Sequence, residues 1–356
     1  MATDARLPLV RTVRRPGLVP VLGTALVGLL LVWLAINLSQ SPSAFFSAAL
    51  IGLTLGAVYA LISLGYTLVY GILELINFAH GDVFMLGGMI SATFIVQIFG
   101  IKGGEGALTL WPAIFVSLFA AMAICGVLNA TIERVAYRPL RNAPRLAPLI
   151  TAIGMSFILQ NVGLAWKGAE YVTVQTPTGE TLLPTGQVFS IGGVTYTWNK
   201  LIVVLLTVPV LLALIWLVQS TRQGKAMRAT AQDRDAAAMM GINVDRTISF
   251  TFLLAGALAG AAGLLYVLYF TQVRFDLGAL QLGLVAFTAA VLGGIGNLPG
   301  AVLGSLVIGF IQAFNERLTW HSPGSDWTES IVFSILILIL VFRPEGLLGE
   351  RTPEGG

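Results

Sequence analysis

The sequence predicts an all-α polytopic membrane protein of about ten transmembrane helices, with both termini in the cytoplasm. Three observations carry that prediction. Of 356 residues, 56% are apolar and only 10% are charged, with mean hydropathy +0.86. A soluble domain carries about 25% charged residues, so too few are present to cover a water-facing surface. Apolar runs recur at membrane-spanning length along the chain, and the basic residues between them are segregated.

The runs are 18–38, 44–72, 83–99, 110–132, 147–166, 200–219, 248–270, 281–295, 300–318 and 328–342. Leu18 to Leu38 alone is about 21 residues, or ~31 Å of helix, enough to span. It is longer than a secretory h-region and lacks a clean small-residue cleavage site, so it reads as an uncleaved span. Many of the 40 glycines sit inside these runs, as Gly52, Gly56, Gly65 and Gly71 do. Small residues let membrane helices approach closely. Cys125, the single cysteine, lies in an apolar run, so no disulfide or cysteine metal framework is expected.

Orientation follows from Lys and Arg. Segments holding Arg6, Arg11, Arg14 and Arg15, then Arg134, Arg138, Arg141 and Arg145, then Arg222 to Arg246, then Arg343 and Arg351 contain 15 of the 20 basic residues. With ten spans all four fall on one side, which the positive-inside rule makes cytoplasmic. The expected organisation is a cytoplasmic arm at 1–17, a membrane domain at 18–343 and a cytoplasmic tail at 344–356. An external loop occupies 167–199 and a cytoplasmic segment 220–247. A net charge of +3 gives no ground for a nucleic-acid partner.

Three segments outside the plain apolar pattern attract functional readings. In the external loop, Phe189 to Thr197 alternates β-formers around Gly192-Gly193, a hairpin signal. It is either a passive connector or a docking surface for an external partner. In the cytoplasmic segment, Gly224 is expected to break the chain ahead of one short helix and Gly241 to cap another. Such a segment is either a solvated linker or a helix that fits a groove on a soluble partner. The stretch Gly71 to Asp82 should be cytoplasmic by parity but holds no Lys or Arg, carrying Glu74, Asn77, His80 and Asp82 instead. Polar groups between spans suit either a tight capped turn or a broken helix that brings them to a permeation route. Gly296-Asn297-Leu298-Pro299-Gly300 echoes it weakly.

Catalytic chemistry is missing from the sequence. Gly224-Lys225 lacks the preceding Gly and following Ser or Thr of a phosphate-binding loop. No His-Glu-x-x-His occurs, and His80 and His321 have no evident nucleophile neighbour. The chain is expected to hydrolyse nothing itself and to take energy from a partner or an ion gradient.

The run from Gly52 to Gly87, including Gly71-Ile-Leu-Glu-Leu-Ile-Asn-Phe-Ala-His-Gly-Asp82, closely resembles the opening of the branched-chain amino-acid ABC permease family. Gly224-Lys-Ala-Met-Arg-Ala-Thr-Ala-Gln-Asp233 with Ala238-Met-Met-Gly-Ile-Asn243 resembles that family's coupling segment, and Gly293 to Gly304 also matches. The likeness extends from about residue 50 to residue 350 and implies the ABC importer permease fold. It further implies a second homologous permease, hetero or homo, two cytoplasmic ABC ATPases and an external solute-binding protein delivering a small amino acid. ATP and magnesium would be bound on the ATPases, with no cofactor in this chain, in a bacterial inner membrane. By motif position Arg228, Asp233, Ala238 and Gly241 would sit at the ATPase-coupling helix, while Gln232 stands where a Glu is more usual. Asn77, His80, Gly81 and Asp82 match the first signature, and their polarity between spans, with no neighbouring basic residue, makes them, with Glu74, the residues expected to line the translocation path.

The competing expectations are a permease for urea, amides or other small neutral solutes, an ion-coupled secondary transporter, and a membrane-embedded enzyme. Acidic groups are scarce within the spans, Glu133, Glu316 and Glu329 lying near their ends, which disfavours ion coupling.

Overall fold

The computed structural model describes residues 18–74, 76–101, 106–141, 143–144, 146–175, 181–343 and 345–349. The expected arm at 1–17, most of the tail, and Arg145 and Lys102 lie outside the described residues. In chain order the helices are α1 (Leu18–Gln40), α2 (Pro42–Leu73), α3 (Ala79–Ala92), α4 (Ala107–Ile132), α5 (Leu146–Lys167), α6 (Trp198–Ser220), α7 (Arg222–Gln232), α8 (Arg234–Met239), α9 (Val244–Phe270), α10 (Leu284–Gly293), α11 (Leu298–Arg317) and α12 (Thr328–Phe342). Short strands β1 (Val172–Thr173), β2 (Gln187–Ile191), β3 (Val194–Thr197) and β4 (Gln272–Val273) lie in the loops. Three π-helical turns, Thr93–Ile98, Glu133–Tyr137 and Gly278–Gly283, continue α3, continue α4 and lead into α10.

Among the described residues eight helices are long and apolar enough to cross a membrane. Of the other two expected spans, α1 (Leu18–Gln40) is a 23-residue helix, while Gln281–Gly293 is shorter than a full span. The third span also differs from expectation. It begins at Ala79, four residues before the expected 83, because His80, Gly81 and Asp82 are helical and not part of a linker.

Two antiparallel glycine seams hold the centre. On α2, a Cβ at Gly52 would lie 2.9 Å from Phe310 Cα, and one at Gly56 would lie 2.7 Å from Leu306 Cα of α11. On α9, a Cβ at Gly256 would lie 2.6 Å from Asn129 Cβ, and one at Gly260 would lie 2.9 Å from Met122 N of α4. Both are small-x-x-x-small pairs, the spacing that lets two helix backbones touch in lipid. Exchanging α2, α3 and α4 for α9, α10 and α11 maps the α2–α11 seam onto α4–α9. It also maps α3–α9 onto α10–α2 and α3–α5 onto α10–α12. The helices thus form two interlocked units whose short central members, α3 and α10, meet through the π turn before α10.

The two ends of the bundle differ in chemistry. At one end Arg138 and Arg141 from the turn after α4 both pair with Asp245 in the first turn of α9, Arg141 Nη1 at 2.6 Å. Arg141 also reaches Glu133, which is 0% exposed and accepts from Ser249 Oγ at 2.6 Å. At the other end β2 and β3 form the expected hairpin, with positive φ at Gly192 (57°) and Gly193 (83°), where a side chain would be strained. Tyr196 of β3 anchors it to α2 by a 3.1 Å hydroxyl contact with Thr54. Burial pushes the Tyr196 phenol up, against the lowering effect of that contact, so it stays neutral. Trp33 Nε1 and Asn37 Nδ2 donate to the Trp320 carbonyl, and Trp320 N donates back to Asn37 Oδ1 at 3.0 Å, clasping α1 to the turn before α12.

Candidate functional site

The polar residues of the Gly71–Asp82 stretch separate into two places. Helix α2 ends when Glu74 takes a left-handed conformation (φ 54°), its N–H still bonded to Tyr70 O at 2.7 Å. The chain then turns back along α2 and starts α3 beside Gly65, where a Cβ would strike the His80 imidazole. Gly65 lies nine residues before Glu74 in sequence, so the His80 ring meets α2 roughly 13 Å inside the end of that helix at 1.5 Å per residue. A polar ring at that depth is tolerated only within a protein interior.

Around that start, side chains from five elements converge. Asn77, 3% exposed, accepts from Tyr137 Oη at 2.7 Å. His80, 0% exposed, meets the Tyr66 ring edge-on with centroids 4.8 Å apart and has the Ile62 carbonyl in its vicinity. Asp82, 0% exposed, lies in the first turn of α3, where the helix dipole favours a carboxylate. Its Oδ1 accepts from Ala279 N at 3.0 Å and Gln160 Nε2 at 3.2 Å, while Oδ2 has no hydrogen-bond partner among the described residues. Gly81 allows the π turn to approach, since its Cβ would sit 2.8 Å from Ala279 Cα and 3.0 Å from Gly283 Cα. Beside the cluster Tyr66, Tyr70, Ile76 and Phe287 enclose a cavity of about 10 Å³, room for about one water. The interior is closed around this cluster.

Glu74 stands apart on an exposed rim. It borders a cleft of about 290 Å³ shared with Arg141, Thr230, Asp233 and Arg234. The stretch itself holds no Lys or Arg, but a basic residue reaches it in space, since Arg234 Nη2 donates to Ile72 O at 2.8 Å.

The 220–247 segment forms two helices. Gly224 does not break the chain. It lies in the first turn of α7, with Thr221 Oγ1 accepting its N–H at 3.0 Å, and its missing side chain lets α7 close onto the last carbonyls of α6. Arg228 turns inward to the Val218 carbonyl at that same helix end, where a cation is favourable. Asp233 caps α8 by accepting from Asp235 N and Ala236 N, both at 2.9 Å. Gly241 ends it with φ 82°, N–H bonds running from Gly241 to Ala238 O and from Ile242 to Ala237 O. Ala238 is exposed beside Met239 and Met240, which are 82% and 83% exposed.

Sequence reasoning did not single out Tyr66, Tyr137 or Gln160, each brought to the cluster from a distant turn of chain. It also passed over Met239 and Met240, although two adjacent methionines in an otherwise polar segment were a usable signal. Among the described residues no three His, Cys, Asp or Glu side chains gather as a metal-ligand set.

Comparisons with known proteins agree with this architecture. The family model described as branched-chain amino acid transport system / permease component matches residues 48–341. The chain is 39% identical over 307 residues to the high-affinity branched-chain amino acid transport system permease protein BraD of Pseudomonas aeruginosa, covering 85% of this chain and 95% of that one. It is 38% identical over 306 residues, with the same coverages, to LivH of Escherichia coli K12, which carries the same description. The fructose import permease protein FrcC of Rhizobium meliloti is 27% identical over 228 residues, covering 62% of this chain and 58% of that one. The eight long apolar helices among the described residues are those of a multi-pass membrane protein, and the chain belongs to the branched-chain amino acid transport permease family.

Proposed function

We propose that the chain is the membrane-spanning permease subunit of an ATP-driven importer for branched-chain or other hydrophobic amino acids. It works in a bacterial inner membrane and receives substrate from an external binding protein. The observation that carries this reading is the α7–α8 pair. Capped at both ends of α8, it presents Met239 and Met240 to solvent at the basic end of the bundle. Exposed methionines on a short capped helix suit a groove on a soluble partner. The reading makes that end cytoplasmic, gives ten membrane passages including α1 and α10, and places ATP and magnesium on two partner ATPases. The other end, with the hairpin, faces the binding protein. A second homologous permease completes the path.

In this reading Asn77, His80, Gly81 and Asp82 form the permeation-side cluster, and α3 moves against the π turn before α10 when the path opens. Glu74 belongs with the coupling cleft instead. The amino-acid substrate follows from the 38–39% relatives, while the more distant fructose permease marks how far the architecture extends beyond one solute.

The test uses the transporter expressed with its partner subunits. Met239→Asp with Met240→Asp is expected to abolish copurification of the ATPases and uptake of radiolabelled leucine, with the permease still in the membrane. Recovery of a full complement of ATPase would refute the coupling assignment. His80→Ala and Asn77→Ala are expected to leave the complex assembled while uptake falls at least tenfold. Normal uptake in both would remove the cluster from the path.

A further inference from the structure

A cleft of about 530 Å³ opens between the end of α4 and the start of α9, on the outer surface of the bundle and away from the α3 cluster. Its mouth carries Arg134, Arg138 and Arg246, with Asp245 as the opposing charge. Asp245 already pairs with Arg138 and Arg141, which fixes that wall. Arg134 and Arg246 are exposed and, among the described residues, have no ion-pair partner. The floor is different in kind. Phe250 and Leu253 line it, Leu253 being 39% exposed, and the apolar strip continues along α4 past Val127, 61% exposed. Arg134 follows directly on the apolar α4 helix and Arg246 lies in the first turn of α9, so the charges sit at the level where the apolar surface ends.

We propose that this cleft binds an anionic phospholipid, its phosphate held between Arg134 and Arg246 and an acyl chain laid along Leu253 and Val127. Guanidinium groups match phosphate oxygens in a bidentate manner. A free phosphate would use the arginines alone and leave the apolar floor wet. An acidic protein segment would likewise have no partner for an apolar strip running along the exposed side of α4. A lipid satisfies both halves, as basic pockets between helices at a membrane surface do. This proposal does not depend on which solute the chain transports.

The experiment is native mass spectrometry of the complex with its partner subunits, purified from mixed phosphatidylglycerol and phosphatidylcholine bilayers. The native complex is expected to retain phosphatidylglycerol in preference to phosphatidylcholine. Arg134→Gln with Arg246→Gln is expected to lower that retention roughly tenfold or more, each arginine adding about 1 kcal/mol near an anionic surface. The control Arg343→Gln, an exposed basic residue outside the cleft, is expected to leave retention unchanged. Because both cleft arginines are exposed, the variant should elute as one folded species. Unchanged phosphatidylglycerol in the double variant would overturn the proposal. So would equal displacement by excess inorganic phosphate, which would assign the arginines to a free anion. Loss of the ATPases with lipid retention intact would give the cleft to a protein partner and overturn it as well.

Discussion

At Gly278 a single hydrogen in place of a side chain decides whether the polar cluster can form. A Cβ there would strike Asp82 Oδ1 and lie 2.9 Å from Asp82 Cα. The carboxylate has nowhere to move, since it already holds Ala279 N and Gln160. Gly278→Ala is therefore expected to destabilise the protein by about 1–3 kcal/mol, the usual range for overpacking. It should also disturb uptake. Gly154, which has nothing within 4 Å of the same position, is the control, and Gly154→Ala is expected to change stability by less than about 0.5 kcal/mol. Thermal unfolding in detergent with uptake in vesicles measures both. Equal melting temperatures for the two variants would show that α3 and the π turn can separate without penalty.

At the scale of elements, the bundle was legible because its periodicity and composition are strong. The hairpin was legible because Gly192-Gly193 is a turn signature, and the α8 cap because Gly241 follows its last turn. What could not be read was depth. Nothing in Asn77-Phe-Ala-His-Gly-Asp82 says that the chain doubles back beside Gly65 before the helix starts, since that geometry is set by α2 and the π turn nearly 200 residues away. Gly224 was misread for a related reason. A glycine that ends a helix and one that admits a neighbouring backbone look alike until the neighbour is in place. The coupling pair carries its own test. Asp233→Ala removes the cap of a six-residue helix at about 1 kcal/mol, a large fraction for so short an element. Substrate-stimulated ATPase activity is expected to fall while basal activity and folding persist. Stimulation unchanged in Asp233→Ala and in Gly241→Val would show that α8 need not be ordered to couple.

Across the whole molecule, the ion pairs that join the end of α4 to the start of α9 converge on one arginine. Arg141 bridges Glu133 and Asp245, and Glu133 is fully buried with Ser249 as its other partner. Removing the arginine leaves a buried carboxylate without its countercharge, so Arg141→Gln is expected to destabilise the protein by about 3–5 kcal/mol. Arg141→Gln with Glu133→Gln should recover most of that loss, because the stranded charge is gone. Unfolding midpoints of the single and double variants decide it, and failure of the double to recover would place the effect in packing rather than charge.

The buried Cys125 has a practical corollary. Its thiol sits 0% exposed against α3 and α9, an environment in which thiols are unreactive. The native chain is thus already a silent background for maleimide labelling. Met239→Cys and Ile191→Cys place reactive groups on surfaces that are 82% and 72% exposed at opposite ends of the bundle. An impermeant maleimide applied to intact cells should modify the second and spare the first. Inverted vesicles carrying the permease without its ATPases should reverse the result, and labelling of both from one side would deny that the bundle spans the bilayer in the orientation proposed.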